Sequence, residues 1–556
     1  MILYLLDMKK SWDTVETDLL IIGAGGAGMR AAIEAAKYGI KITAVSKEPF
    51  GHAHTDKAMG GLNVALKDPA TPELHFQDTV KGGWYINNQK LVRIFTHEMP
   101  DRIHDLVSYG VKFDRLPDGS FYTWAGGKQT APLNLCAGDY TGREMMHGLS
   151  NKVKSLSLPF FANHFVTKIF ADKKGVYGAL ALNLKDNSPV YFSAKSILVA
   201  AGGAGMLYEI TSNEPSNTGE GYAWAYDSGV DLVDMEFVQF HPTGMAHPSS
   251  VRGKLITEKV RGHKGKLYNS KGERFMKRYQ PKLMELAGRD EVTRAIYTEI
   301  KEGRGTKHGG VYLDVRELGL QQIKKLIPDV YDNFKQVGVD ISREKMEITP
   351  TAHHMMGGIR INEWGETNIP GFFGAGEVTG GIHGANRLGG NSLAEGQVFG
   401  RRVGIRASEY CLGQKHKKLS NEKITAEIKK VEDLLNRKQG VSYKTVQDKL
   451  KAIMWEYVGI VRNDKGLKIA KHEVSKLLKE TAKLTATKKS LAQTLETIEM
   501  VKLARIIIAT AVMRKESRGA HFRDDYSKMS KKQEKNIIVR KVGISLTTTL
   551  SKTVKI

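Results

Sequence analysis

Apolar and polar positions along this chain follow three different rhythms. Near the start, Leu19-Leu20-Ile21-Ile22 is an unbroken apolar run, short enough for a buried strand. The glycine-spaced segment Gly23-Ala24-Gly25-Gly26-Ala27-Gly28 follows, then a helical pattern from Met29 to Tyr38 closed by Gly39, then a second apolar strand from Ile40 to Val45. Ser196 to Ala200 is another apolar strand, running into Ala201-Gly202-Gly203. Gly371 to Gly376 is a third, running into Glu377. From about 412 to 510 the pattern becomes helical, with Ile424, Ile428, Val431, Leu434 and Leu435 at helical spacing. The last 25 or so residues, rich in Ser, Thr and Lys with interspersed Val and Ile, read as short strands or a tail.

A strand, a Gly-x-Gly-x-x-Gly turn, a helix and a second strand form a dinucleotide-binding unit in the right context. Gly23 permits the tight turn, Gly25 lets a pyrophosphate approach and Gly28 lets the helix pack on the sheet. The helix start supplies amide donors to phosphate. The second strand ends in Ser46-Lys47, without the acidic residue typical of NAD sites, which leaves FAD open. Glycine-terminated strands spread over some 350 residues imply one cofactor domain carrying an insertion. The expected fold is α/β: a Rossmann-like FAD-binding domain (1–231 and 353–411) interrupted by an α+β capping domain (232–352). A helical domain (412–530) and a C-terminal tail (531–556) follow.

Composition narrows the classes. The 556 residues carry a net charge of +24, but residues 411–556 alone hold 34 Lys/Arg against 15 Asp/Glu, spread over helical patterns without nucleic-acid motifs. That is the pattern of a solvated basic face. No apolar run approaches the ~18 residues needed to span a bilayer; the longest, Leu503 to Met513, is too short. The opening Met1-Ile2-Leu3-Tyr4-Leu5-Leu6 meets Asp7 at once, unlike a signal or transit peptide. Cys136 and Cys411 are the only cysteines, so no disulfide framework, cluster or zinc motif is expected, and no metal site.

Five further segments carry chemistry. His383-Gly384-Ala385-Asn386-Arg387-Leu388-Gly389-Gly390-Asn391-Ser392 places one arginine among glycines, where its planar fork of donors suits a carboxylate. Val238-Gln239-Phe240-His241-Pro242-Thr243-Gly244 holds a histidine beside a conformation-fixing proline, either a packed core residue or an aimed ligand. Thr257-Glu258-Lys259-Val260-Arg261 ends an apolar run in a hydroxyl, a carboxylate and an arginine. Gly288-Arg289-Asp290-Glu291 looks like a helix start. Ala352-His353-His354-Met355-Met356-Gly357-Gly358 offers histidines beside glycines.

Together these segments resemble the flavoprotein subunit of the succinate dehydrogenase/fumarate reductase family (respiratory complex II), from the glycine turn to Lys515-Glu516-Ser517-Arg518-Gly519-Ala520-His521. The resemblance implies that His241, Thr257, His353 and Arg387 bind a dicarboxylate and that Arg289 moves the proton at substrate carbon. Glu258 and Arg261 would relay that proton to solvent. It implies that Gly23, Gly25, Gly26 and Gly28 take the FAD pyrophosphate and that Glu377 meets the ribityl chain. Ser46, Lys47, Thr55, Gly60, Gly61, Ala201, Gly202, Glu220, Asn391, Ser392 and Leu393 would line the rest of the cofactor. His54, followed by Thr55, matches the histidine that bonds covalently to the flavin; His52 is its weaker competitor.

Succinate and fumarate are the implied substrates. The implied partners are a membrane anchor and an iron–sulfur subunit, with the chain peripheral on the inner face of the cell membrane and no nucleic acid bound. The alternatives within the fold are a soluble L-aspartate oxidase or a thiol-linked fumarate reductase. Two departures from the family pattern stand out: Met59 where Gln or Glu is usual, and Glu220 in place of an aspartate.

Overall fold

The computed structural model describes residues 12–556, so the opening run Met1–Leu6 lies outside the described residues. At its centre is a seven-stranded sheet. Phe160–Phe161, Ile42–Val45, Asp13–Ile22 and Pro189–Val199 lie side by side and parallel. Gly175–Asn183 and His164–Asp172 extend the sheet antiparallel, and Phe372–Gly374 joins Pro189–Val199 in parallel. The register explains the location of the site. Ile22 is opposite both Val45 and Val199, and Val199 is opposite Gly374. Four strands therefore end level, and Gly23, Ser46, Ala200 and Ala375 leave the sheet at one edge. Ligands of open α/β sheets bind at such an edge.

The glycine-turn helix is Gly26–Ala35 and continues as a tighter 3₁₀ turn, Ala36–Tyr38, closed by Gly39 at φ 69°. It starts three residues earlier than its sequence pattern predicts, because glycine and alanine carry no amphipathic signal. Gly23 has φ 107°, and a Cβ there would lie 2.3 Å from the Ala200 carbonyl oxygen. The turn and its close contact with the neighbouring strand both require glycine.

A second, four-stranded antiparallel sheet carries Val238–Met245, Met346–Met355, Val311–Asp314 and Lys266–Tyr268. With the helices Arg289–Glu299 and Pro328–Gln336 it encloses a separate core that includes Met245, Val292, Ile296, Leu313 and Ile348. Leu232–Val233 pairs elsewhere, with Gly358–Arg360 and with the C-terminal hairpin Lys535–Val542/Ser545–Lys552. The Ser/Thr/Lys-rich end is thus a hairpin in a five-stranded sheet rather than a loose tail.

Four helices, Asn421–Asn436, Tyr443–Val458, Asp464–Thr481 and Leu491–Met513, form the helical region. Ile424, Ile428, Val431 and Leu434 are buried as their spacing predicts. Among the described residues no helix is long and apolar enough to cross a membrane.

Candidate functional site

One cavity of about 790 Å³ runs from the glycine turn, along the level strand ends, to the four-stranded sheet. Its cofactor-side wall includes Gly23, Gly25, Gly26, Ser46, Lys47, His54, Thr55, Gly60, Gly61, Ala201, Gly202, Glu220, Glu377, Ser392 and Leu393. His241, Thr257, Glu258, Arg289, His353 and Arg387 line its far end. Residues as far apart in the chain as Gly23 and Leu393 thus share one chamber.

The geometry of the far end follows from strand irregularities. Gln239 is opposite His354 and Phe240 is opposite Ala352, so His353 is an extra, unpaired residue. Such a bulge breaks the alternation of side chains, and both His353 and His354 line the cavity. The His241 and His353 rings meet edge to face with centroids 5.1 Å apart. The Thr243 amide donates to His241 Nδ1 at 3.2 Å. In the neutral ring Nε2 then carries the hydrogen, making His241 a donor. Burial, then the nearby arginines, hold the His241 pKa well below its ordinary value. His353 is pushed the same way by burial, then by His241 and Arg387.

Arg289 opens its helix, with Gly288 as N-cap and the Glu291 carboxylate accepting from the Gly288 amide at 3.0 Å. Its guanidinium meets Glu258 Oε2 through Nε at 2.8 Å and Nη2 at 2.7 Å. Glu258 also accepts from the Gly127 amide at 2.8 Å. Burial alone would raise its pKa, but Arg289 and Arg261 outweigh burial and hold the carboxyl at about 2. Arg387 feels burial first and then Arg289, which bring it down to about 9. Its buried Nε has no hydrogen-bond partner among the described residues. Arg289 and Arg261 hold Glu258 ionised, while Glu377 and Glu395 near Arg387 are pushed toward the neutral form by burial, so the cluster is short of negative charge and suited to a bound anion. Gly389 stands where a Cβ would be 2.6 Å from Arg289 Nη2 and 2.7 Å from Glu258 Oε2. The glycine run is needed for room against this ion pair.

The other end fits a dinucleotide. The Gly26–Ala35 helix has no hydrogen bond from its N-cap side chain and no acidic residue in its first turn, and Gly25, Gly26 and Ala27 at its start line the cavity. Thr55 accepts from the Gly26 amide at 3.1 Å and braces the turn. His54 lines the cavity, and its buried Nδ1 has no hydrogen-bond partner among the described residues. Burial first, then Arg387 and Lys57, lower its pKa against the opposing pull of Glu377. His52 also lines the cavity but is exposed. Met59 is 8% exposed, lines the cavity and packs into the core of the four-stranded sheet.

Comparison with known proteins agrees with this arrangement. The family described as FAD binding domain matches residues 18–393, and that described as fumarate reductase flavoprotein C-term matches 447–551. The chain is 43% identical over 535 residues to a fumarate reductase (CoM/CoB) subunit of Methanothermobacter marburgensis, covering 95% of this chain and 97% of that protein. It is 36% identical over 541 residues to the succinate dehydrogenase flavoprotein subunit of Coxiella burnetii, covering 92% of each. The chain belongs to the succinate dehydrogenase/fumarate reductase flavoprotein family. Its fold superimposes on a variant of the FrdA subunit of Escherichia coli quinol fumarate reductase with a TM-score of 0.93, 33% identity and 98% of each chain covered.

As a member of this family the chain is an FAD-dependent oxidoreductase with an FAD-binding domain. Three sequence-selected residues stand outside the cavity wall. Gly28 packs under the turn, where a Cβ would lie 2.1 Å from the Gly23 oxygen. Asn391 is fully buried, accepting from Asn63 at 2.6 Å, bonded to His75 at 2.9 Å and donating to Thr79 at 3.0 Å, and it braces the Gly-rich loop from behind. Arg261, expected as a relay to solvent, is 2% exposed. It sits 3.8 Å from Glu258 and donates to the Glu285 carbonyl at 2.7 Å. It adds positive charge behind Glu258 without itself reaching water.

Lys47, expected at the cofactor, is held by Glu220 at 2.5 Å and Glu496 at 2.8 Å, which leaves it little freedom to turn to a ligand. Sequence reasoning missed Gln239. Its Oε1 accepts from Arg289 Nη1 at 3.0 Å and Arg387 Nη2 at 3.1 Å, and its Nε2 donates to Asn386 and to the Arg387 carbonyl at 2.8 Å. Its place two residues before His241, on the same face of a strand, was the available signal.

Proposed function

We propose that this chain is the catalytic flavoprotein subunit of an enzyme that interconverts fumarate and succinate, with FAD tethered to His54. The observation that carries this reading is the single chamber with the start of the glycine-turn helix at one end and the cluster of Arg289, Arg387, His241, His353 and Thr257 at the other. A dicarboxylate needs donors at both ends. His353, Arg387, His241 and Thr257 supply them, while Arg289, pinned by Glu258 and Gln239, is left to serve the carbon atom between. Bound FAD would supply the hydride acceptor or donor.

In the reducing direction the carboxylate clamps draw electron density from the double bond, and Arg289 gives a proton to the second carbon. An arginine's pKa is ordinarily above ~12. A solvent proton returns to Arg289 through Glu258, which is at hydrogen-bond distance, while Arg261 behind it balances the carboxylate's charge.

Two cysteines are too few to hold an iron–sulfur cluster, so we assign the single-electron carriers to a partner, an iron–sulfur subunit linked to a membrane anchor. The 43% identity to a protein named for CoM/CoB supports a second reading of the electron source, in which thiols drive fumarate reduction. Purified holoprotein assayed with reduced viologen plus fumarate, and with an oxidising dye plus succinate or aspartate, tests the proposal. Turnover with the C4 dicarboxylates is expected. Activity with aspartate alone would replace the reading by that of an aspartate oxidase.

A further inference from the structure

We propose that Lys128 is a positioning residue, which ties the loop over Glu258 to the helix that begins with Arg289 and so fixes this ion pair; this rests on the function proposed above. Residues 125–130 cross the back of the pair. Gly127 donates its amide to Glu258 Oε1 at 2.8 Å. A Cβ at that position would lie 2.9 Å from the same oxygen and 3.1 Å and 3.2 Å from the carbonyl oxygens of Ala287 and Leu286. The loop therefore lies flat on the turn that leads into Arg289.

The next residue holds it there. Lys128 has φ 60°, a left-handed conformation unusual for a side chain of its size. This aims its ammonium 2.9 Å from Glu291 Oε2 and 3.8 Å from Asp290 Oδ1, over the Trp84 ring at 4.7 Å. Glu291 is the residue that caps the Arg289 helix through the Gly288 amide. One carboxylate thus anchors both the first turn of the helix and the loop that covers Glu258.

The other side of the loop is pegged to the cofactor domain. Gln129 donates to Asn63 at 3.0 Å, and the Thr130 amide donates to Asp78 at 2.8 Å. Gly127 and Lys128 are its reach across to the ion pair. If the Lys128–Glu291 contact is removed, the amide drifts from Glu258, and the carboxylate is free to rotate away from Arg289. Dicarboxylate-binding groups are untouched.

The test uses the FAD-loaded full chain and the variants Lys128→Met, Lys128→Arg and Glu291→Gln. Hydrogen exchange of the peptide spanning 125–130 is expected to be slow in the wild type and in Lys128→Arg, and at least tenfold faster in Lys128→Met. For fumarate reduction, loss of one charge-assisted contact corresponds to about a tenfold fall in kcat, with malonate affinity unchanged. Lys128→Met combined with Glu291→Gln should be no worse than the worse single variant. Unchanged exchange in Lys128→Met, additive losses in the double variant, or a parallel loss of malonate affinity would overturn the proposal. The exchange measurement stands even if the wild type does not turn over fumarate, an outcome that would sink the functional reading instead.

Discussion

Replacing Arg289 by Gln removes the group on which the proposed chemistry turns while keeping a polar side chain of similar reach. The structure sets the magnitude. Two contacts to Glu258, at 2.8 Å and 2.7 Å, disappear, and the carboxylate keeps the Gly127 amide and the more distant Arg261 at 3.8 Å. Hydrogen bonds to charged groups are worth about 1.5–3 kcal/mol each, and leaving a buried charge unpaired costs about 3–5 kcal/mol. The Glu258 pKa rises from about 2, because Arg289 is the strongest influence holding it down against burial. Loss of a positioned proton donor lowers turnover about 10²–10⁴-fold, equivalent to about 3–5 kcal/mol of barrier.

Dicarboxylate affinity is set by His241, His353, Thr257 and Arg387 and should stay within about threefold, less than ~1 kcal/mol. Stopped-flow oxidation of the reduced protein by fumarate measures the first quantity, and malonate titration followed by flavin absorbance measures the second. Turnover within threefold of wild type, or a loss that falls on affinity alone, would refute the proton-donor assignment.

Three further outcomes follow from the same geometry. Gln239→Leu leaves Arg289 and Arg387 without their shared acceptor and should weaken malonate binding and lower kcat by about tenfold each, the worth of one such contact; unaltered kinetics would exclude a bridging role. Acid-denatured wild type should retain flavin on a peptide containing His54, and His54→Ser should release it all; complete release from the wild type would remove the tether but not the FAD site. Glu395, raised to about 8 by burial and then by Glu377, takes up a proton on folding, so its contribution is complete below its unfolded value near 4.5 and is lost as pH rises to about 8. The stability difference between Glu395→Gln and wild type, from denaturant melts at pH 5 and pH 8.5, should therefore shift by a few kcal/mol in favour of the variant at the higher pH. A pH-independent difference would refute the buried neutral carboxyl.

How much of this was legible beforehand depended on what each feature needs from the chain. The glycine turn is local: strand, turn and helix are contiguous, and a sequence window contains the whole motif. The neighbours of His241, Arg289 and Arg387 (a proline, a helix start and glycines) drew attention to them, but only the family resemblance gave them roles, and the fold brings all three to one cavity. Gln239 and Lys128 were not, because their meaning lies in pairings set by tertiary structure: Gln239 gains it from two arginines 50 and 148 positions away. Lys128 gains it from Glu291. The bulge at His353 is a register effect between two strands over 100 residues apart, and neither strand reveals it alone. Lys47 reads as a cofactor contact by position, yet Glu496, from the helical region, completes its charge pairing. The helix start at Gly26 escaped the apolar pattern because small residues carry no periodic signal.

A crystal structure of the FAD-loaded protein with fumarate would decide whether these residues form one dicarboxylate site. One carboxylate is expected within hydrogen-bond distance of His353 and Arg387, the other near His241 and Thr257, and an olefinic carbon against an Arg289 guanidinium nitrogen. Fumarate bound anywhere else in the chamber, or with Arg289 turned away from its carbons, would contradict the proposed chemistry.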